Sequence, residues 1–257
     1  MMLLSPAQVN YMPARIVSLV PSQTELLFDL GLDKSVVGIT KFCVHPPHWK
    51  IAKAIIGGTK NINIKKIKAL KPDLIIANKE ENVKEQIEEL AKECNVWLTD
   101  VAALPDALQM IIDIGVITGS EIKSKQLITS IETNFTNIKK LEQQLKVCYL
   151  IWRNPYITTG GDTFINDMLT RCGFQNIFAY KNRYPAIEIE ELKKADFDLL
   201  ILSSEPYPFK QKHIKELQQQ LPGIKIILTD GEMFSWYGSR LLHAPDYFQK
   251  IIYKSLL

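Results

Sequence analysis

The sequence lacks the features that mark several large classes of protein. Its 257 residues include only four cysteines, and no two of them form a C-x-x-C pair, which excludes a zinc ribbon and gives no sign of a disulfide framework. Lysine and arginine outnumber aspartate and glutamate by only 31 to 28, so no basic stripe recommends nucleic acid as a partner. No window approaches the ~20 apolar residues of a membrane span. The chain therefore has the composition of an ordinary globular protein.

Common catalytic motifs are also missing. The sequence contains no G-x-S-x-G elbow, no P-loop and no G-x-G-x-x-G. We therefore do not expect an enzyme. A chelatase-like activity, in which histidine and carboxylate groups move a metal, is the enzymatic alternative that the residue types allow. The side chains available to a catalyst are scattered along the chain: Ser22, His45, Asp162, His213, Asp230, Ser239 and His243. Of these, His213 and His243 fall in amphipathic helical patterns and are expected to be solvated.

The N-terminus has no recognisable targeting segment. Residues 1–14 contain two prolines, no early Lys or Arg, and no unbroken apolar stretch of the length that a signal peptide needs. We expect a weakly structured leader and a chain that stays in the compartment where it is made. Cys94, Cys148 and Cys172 are expected to be buried free thiols.

Two stretches of the chain share one pattern. Residues 64–77 and 189–202 align without a gap at an offset of 125 residues, since 64 + 125 = 189 and 77 + 125 = 202. Each predicts a short amphipathic helix, a turn carrying Asp73 or Asp198, and an apolar strand buried on both faces. Two similar α/β lobes follow from this repeat, with a ligand expected in the cleft where they face each other.

Helical and strand patterns alternate along the rest of the chain, as in parallel sheets with helical crossovers. Ser22 and Glu25 predict a capping box that starts a helix over residues 23–30. Residues 120–144 predict one long connecting helix, of ~36 Å at 1.5 Å per residue. The expected architecture is α/β, with two Rossmann-like lobes of mainly parallel strands, residues 15–119 and 145–257, joined by this backbone helix.

Several motifs, in order, resemble those of a known family. They are Arg15-Ile-Val-Ser-Leu-Val-Pro-Ser-Gln-Thr-Glu-Leu-Leu-Phe28, Val37-Gly-Ile-Thr40, Pro46-Pro47, Gly57-Gly-Thr59 and Leu70-Lys-Pro-Asp-Leu-Ile-Ile-Ala77. Together they resemble the cobalamin- and iron-siderophore-binding proteins of ABC importers, the helical-backbone metal receptors. The resemblance implies a periplasmic receptor that captures a corrinoid, haem or ferric siderophore between its lobes, has no intrinsic cofactor and delivers its ligand to an ABC permease. An intracellular corrinoid- or chelate-binding or sensing protein remains the alternative.

Ligand-binding residues are expected in loops at the carboxyl ends of the strands, where open α/β sheets bind their ligands. Phe42 can lie against a macrocycle, and His45 can ligate cobalt or iron, although a loop histidine packed beside prolines is the alternative. Trp152, Arg153 and Tyr156 leave the first strand of the second lobe and offer a flat face, a planar cation and a phenol. Trp152 can instead belong to the core.

A second group of candidates lies closer to the C-terminus. Trp236, Tyr237 and Arg240 precede the last helix, where a guanidinium can hold a ligand carboxylate or amide. Alternatively, the aromatics pack between the lobes and Arg240 bridges Asp230 or Glu232. Tyr184 matches a cleft-lining stretch of the family.

The resemblance also implies one docking glutamate on each lobe, directed at arginine pockets of the permease. The second-lobe position is Glu190, but the first-lobe position is Lys65. A lysine facing an arginine pocket is repelled, so we expect this chain not to dock in the usual manner.

Overall fold

The computed structural model describes residues 1–3, 5–139, 141 and 143–256, and for residues 252–256 it describes the backbone only. The chain folds as two compact units. Unit 1 comprises Met1–Val101, Pro105–Ser130 and Tyr237–Arg240, and unit 2 comprises Ala102–Leu104, Ile131–Trp236 and Leu241–Leu257. None of the helices in the described residues is both long and apolar enough to cross a membrane.

Unit 1 is built on a wholly parallel sheet of six strands in the order β1-β6-β5-β2-β3-β4. Its strands are β1 Met2–Leu3, β2 Ile16–Ser18, β3 Val36–Ile39, β4 Ala54–Ile55, β5 Leu74–Asn78 and β6 Val96–Thr99. Its helices are α1 Pro21–Asp29, α2 Trp49–Ala52, α3 Ile64–Ala69 and α4 Lys84–Ala91, followed by α5 Leu104–Thr118 and α6 Glu121–Thr136. The expectation of a weakly structured leader is wrong for β1. This strand pairs with β6 in parallel, with Met2 opposite Val96.

Unit 2 has a mixed sheet in the order β10-β8-β7-β11-β12, with β9 also paired to β7. Strands β7, β11, β12 and β9 are parallel, whereas β8 and β10 run antiparallel to their neighbours. The strands are β7 Leu145–Trp152, β8 Tyr156–Thr158, β9 Phe174–Asn176, β10 Ala186–Ile187, β11 Leu199–Ser203 and β12 Lys225–Thr229. The helices are α7 Phe164–Arg171, α8 Ile189–Lys194, α9 Gln211–Gln220, α10 Glu232–Ser235 and α11 Ala244–Leu256.

The predicted repeat is confirmed to the residue. Helix α3 and strand β5 recur as α8 and β11 at an offset of 125, since 64 + 125 = 189 and 74 + 125 = 199. Every residue of both strands is buried. In each unit the turn aspartate anchors the start of a neighbouring strand. Asp73 accepts the Arg15 peptide N–H just before β2, and Asp198 accepts the Lys146 peptide N–H near the start of β7 at 2.8 Å.

Two predicted helix boundaries are wrong. Helix α1 begins at Pro21, which fits the first helical position because its ring fixes φ and its missing N–H is not needed there. Ser22 and Glu25 therefore lie inside the helix, and no side chain caps it. The helix predicted over residues 120–144 ends at Thr136, before Asn137, a residue type that favours helix ends. Residues 140 and 142 of that prediction lie outside the described residues.

Candidate functional site

A buried hydrogen-bond network joins the carboxyl ends of β5 and β6 to helix α1 in unit 1. Gln23 Nε2 donates to Thr99 Oγ1 at 2.6 Å, and Thr99 Oγ1 donates to the Ala77 carbonyl at 3.0 Å. Asn78 Nδ2 also donates to the Thr99 carbonyl at 3.2 Å. These bonds link α1, β5 and β6 at the edge of the sheet from which the binding loops leave, although the Gln23 Oε1 atom has no hydrogen-bond partner among the described residues.

Phe42 lies exposed after β3 at this edge of unit 1, and its role as a ligand contact stays a prediction. Half of its surface is accessible, and Lys41 Nζ lies 5.0 Å from its ring centroid. The ring rests on Gly58, because a Cβ added there would come within 3.1 Å of it. A glycine at this position therefore lets an exposed aromatic face lie flat against the loop after β4.

His45 is half-buried in the same loop and contributes to the electrostatic field at Glu25. Within the described part of the chain, no three His, Cys, Asp or Glu side chains are grouped to hold a metal ion. The sequence offered His45 as a ligand of cobalt or iron. That role stays a prediction.

Arg240 forms a bidentate ion pair with Glu25. Its Nη2 lies 2.6 Å from Oε1 and its Nε 3.0 Å from Oε2. The two side chains are only 12% and 15% exposed. Burial raises the pKa of Glu25, and the Arg240 charge and hydrogen bond oppose that rise. The sequence offered Asp230 or Glu232 as partners for Arg240, and the structure adds Glu25 on α1.

The carboxyl edge of unit 2 carries a second exposed aromatic. Trp152 ends β7 with 39% of its surface accessible, and its ring packs edge-on against Tyr207 with centroids 5.7 Å apart. The next residue, Arg153, places Nη2 2.6 Å from Glu216 Oε2. Tyr207 follows β11 and donates its peptide N–H to the Ile151 carbonyl at 3.2 Å. Trp152 and Arg153 thus both contact Tyr207, and we call Trp152, Arg153 and Tyr207 the aromatic face of unit 2.

Trp236 and Tyr237 are buried rather than exposed, at 7% and 4%. Trp236 Nε1 donates to Glu205 Oε1 at 2.9 Å, and Ser235 Oγ donates to the same oxygen at 2.7 Å. Burial raises the pKa of Glu205, and the charge of Glu232 adds to the rise. The role of Trp236 and Tyr237 as ligand contacts stays a prediction. The hydrogen bond to Glu205 gives Trp236 a structural role, because it holds the loop that carries Glu205.

The remaining predicted residues lie on both units. Tyr156 and Tyr184 are half-buried, and Tyr156 packs against the core of unit 2. Lys65 and Glu190 are exposed in the first turns of α3 and α8. All four cysteines are free and buried, as predicted for three of them, and burial raises the pKa of Cys148 to about 12, so these thiols are inert.

Sequence reasoning missed two residues of the unit 2 edge, Glu205 and Tyr207, and it named His213 only as a side chain available to a catalyst. The offset of 125 would have found Glu205, because Glu80 occupies the matching position after β5 (80 + 125 = 205). His213, expected to be solvated, is only 2% exposed, because Tyr207 and Phe209 cover its helix face. His243 is exposed, as predicted.

Comparisons with known proteins agree with this architecture. A family model described as periplasmic binding protein matches residues 16–225. An uncharacterized ABC transporter substrate-binding lipoprotein of Bacillus subtilis is 26% identical over 94% of this chain and 80% of its own length. The vitamin B12-binding protein of Pectobacterium carotovorum is 23% identical, covering 91% of this chain and 87% of its own. A periplasmic haem-binding protein from Roseiflexus shares the fold with a TM-score of 0.82 at 20% identity, over 95% of this chain and 99% of its own.

Proposed function

The chain belongs to the periplasmic binding protein family, and from this premise we propose that it captures a metal chelate, namely a corrinoid, a haem or a ferric siderophore, for an ABC importer. Relatives that bind vitamin B12 and a fold shared with haem-binding proteins support this ligand class. The single observation that carries the proposal is the placement of an exposed aromatic beside a cation at the carboxyl edge of each sheet.

The chemistry of these two places suits a large planar ligand. In unit 1 the Phe42 ring is accessible and lies beside Lys41. In unit 2 Trp152 lies beside Arg153. Aromatic faces bind a macrocycle by dispersion and stacking, and the cations attract carboxylates at its periphery. Members of this family are binding proteins, and we propose that this chain likewise performs no catalysis.

Docking to a permease is the second part of the proposal. Lys65 and Glu190 occupy matching positions, since 65 + 125 = 190. Lys65 borders an open groove of about 480 Å³, lined by Gly57, Asn61, Ile62, Asn63 and Ile64. The first turn of α3 contains no acidic residue, whereas that of α8 contains Glu190 and Glu191. We propose that these surfaces contact a permease with pockets of opposite charge, rather than two identical arginine pockets.

The test is a ligand panel. Purified protein is incubated with cobalamin, cobinamide, haemin and ferric catecholate chelates, and the visible spectrum and melting temperature are recorded. A ligand at 100 times its dissociation constant stabilises the fold by ~2.7 kcal/mol, which a melting curve resolves. A shifted spectrum with a raised melting temperature for one chelate supports the proposal. No shift with any of the four contradicts it.

A further inference from the structure

Behind the aromatic face of unit 2 lies His213, a histidine with two defined hydrogen-bond partners. The backbone N–H of Lys210 donates to His213 Nδ1 at 2.8 Å, and His213 Nε2 lies 3.4 Å from the Tyr207 hydroxyl. Because a peptide N–H only donates, Nδ1 carries no proton, and the neutral ring has its proton on Nε2, directed at Tyr207.

This arrangement serves the start of α9. His213 is the third residue of the helix, and Lys210 is its N-cap. A side-chain acceptor at that position normally comes from Glu or Gln in a capping box. Here the imidazole replaces it, and the segment that it holds contains Tyr207 and Phe209, whose rings lie 5.5 Å from the histidine ring.

Protonation is incompatible with these contacts. A proton on Nδ1 would set two donors against each other at the Lys210 N–H, and it would place a cation in a site only 2% exposed. Arg153, which follows β7, together with Lys210 and Lys212, opposes the added charge, and Glu216 on α9 favours it. Burial, followed by the Arg153 charge, lowers the pKa of His213.

The contacts continue to the accessible surface. Tyr207 packs against Trp152, and Arg153 lies within hydrogen-bond reach of Tyr207 while pairing with Glu216. Displacing the 207–210 segment therefore removes the support beneath the aromatic face.

We propose that His213 is a positioning residue that holds the aromatic face of unit 2 in its binding conformation only while its imidazole is neutral, so that acidification weakens ligand binding. This inference rests on the proposed function for the identity of the ligand. The change in the 207–210 segment is independent of the proposed function, because it occurs in the ligand-free protein.

The first experiment needs no ligand. His213 is titrated by NMR using ring-labelled histidine, and hydrogen exchange of residues 205–213 is then compared at pH 7.5 and at an acidic pH about one unit below the His213 pKa that the titration gives, after correction for intrinsic rates. We expect a lowered pKa, and faster exchange at the acidic pH, where the imidazole is protonated, in the wild type. His213→Gln keeps an acceptor at the third helical position but does not titrate, so its exchange should not change with pH. If this variant does not fold, His213→Asn, whose Oδ1 replaces Nδ1, takes its place.

The second experiment measures affinity for whichever of the four chelates above raises the melting temperature most. The wild type should lose about fivefold or more in affinity between pH 7.5 and the same acidic pH, the lower end of coupling between linked sites. His213→Gln should lose less than about twofold, and His243→Gln, at an exposed histidine, should behave as the wild type.

Three results would overturn the inference: an equal loss of affinity in His213→Gln, a raised His213 pKa, or exchange that does not respond to pH in the wild type. If no chelate binds, the proposed function fails, and the exchange and titration alone decide whether His213 holds this face.

Discussion

Arg240 and Glu25 form a bidentate ion pair although 215 residues separate them in the sequence. The pair ties the segment Tyr237–Arg240 into unit 1, whereas the residues on either side of that segment belong to unit 2. Gly238 makes the close approach available: a Cβ there would come within 3.0 Å of the Ser22 carbonyl oxygen, and its φ of +133° suits only glycine.

Replacing Arg240 with alanine should destabilise the protein as well as affect any ligand. It leaves the Glu25 carboxylate buried without its charge partner, which costs about 2–4 kcal/mol, somewhat less than for a fully buried pair. Chemical denaturation measures this loss. Arg171→Ala, which breaks a more exposed i,i+4 pair with Asp167, is the matched control and should cost less than about 1 kcal/mol.

A second substitution tests the cause. Glu25→Gln added to Arg240→Ala removes the stranded charge and should recover part of the lost stability. If the double variant is no more stable than Arg240→Ala, the loss arises from packing and the ion pair is not its source.

Local signals in the sequence predicted the repeated part of the fold. A short amphipathic helix, an aspartate turn and an apolar run were enough to place α3, β5, α8 and β11 at their offset, because each element is defined within about fifteen residues. The helix boundaries were less predictable. Ser22 and Glu25 have the spacing of a capping box. The helix nevertheless begins one residue earlier, at Pro21, and the Glu25 carboxylate pairs with Arg240.

The candidate site was predictable where it follows strand ends and not where it depends on distant contacts. Phe42 and Trp152 are exposed at the edges where the strand order placed them. Trp236 is likewise an aromatic residue in a loop that follows a strand, yet it is buried, and Glu205 accepts its indole N–H. His213 lies on an amphipathic helix, but a single sequence does not reveal that Tyr207 and Phe209 cover that face.

Trp152→Ala and Phe42→Ala should each weaken chelate binding without unfolding the protein. Both rings are well exposed, so their removal leaves no cavity, while a stacking contact is worth about 1–1.5 kcal/mol or roughly five- to tenfold in affinity. Spectroscopic titration with the chelate measures this. Tyr180→Ala removes another aromatic that is 75% exposed and should bind as the wild type. Unchanged affinity in both Trp152→Ala and Phe42→Ala would place the ligand elsewhere.

Glu205→Gln should stabilise the protein at neutral pH. Burial raises the pKa of Glu205 in the folded protein above its ordinary value of 4.5. The protonated carboxyl group therefore contributes stability that is fully present below pH 4.5, and this stability is lost as the pH rises through the raised pKa of the folded state. Glutamine does not titrate, and its Oε1 still accepts from Ser235 and Trp236. The melting temperature of the variant should exceed that of the wild type at pH 7, and the gap should close toward pH 4.

The exposed carboxylate of Glu132 supplies the control. Glu132→Gln should leave the difference in melting temperature from the wild type independent of pH over this range. A lower melting temperature for Glu205→Gln at pH 7 would mean that the negative charge of Glu205 is required by its two donors, contrary to the expectation from its burial.

The last prediction concerns the opposite charges of Lys65 and Glu190. A two-fold symmetric permease presents identical pockets, so a partner that docks on both needs like charges at matching positions. Here Lys65 is exposed beside Lys66, whereas Glu190 is exposed and pairs with Lys193, 2.7 Å away on its own helix. Transport into vesicles that contain the importer of the same organism measures the effect.

If that importer has two arginine pockets, Lys65→Glu should increase uptake by replacing repulsion with attraction. If its pockets differ in charge, as we propose, Lys65→Glu should reduce uptake and Glu190→Lys should reduce it as well, while Lys92→Glu, at an exposed lysine of unit 1 outside α3, should change little. Uptake that responds to neither Lys65→Glu nor Glu190→Lys would remove both positions from the docking surface.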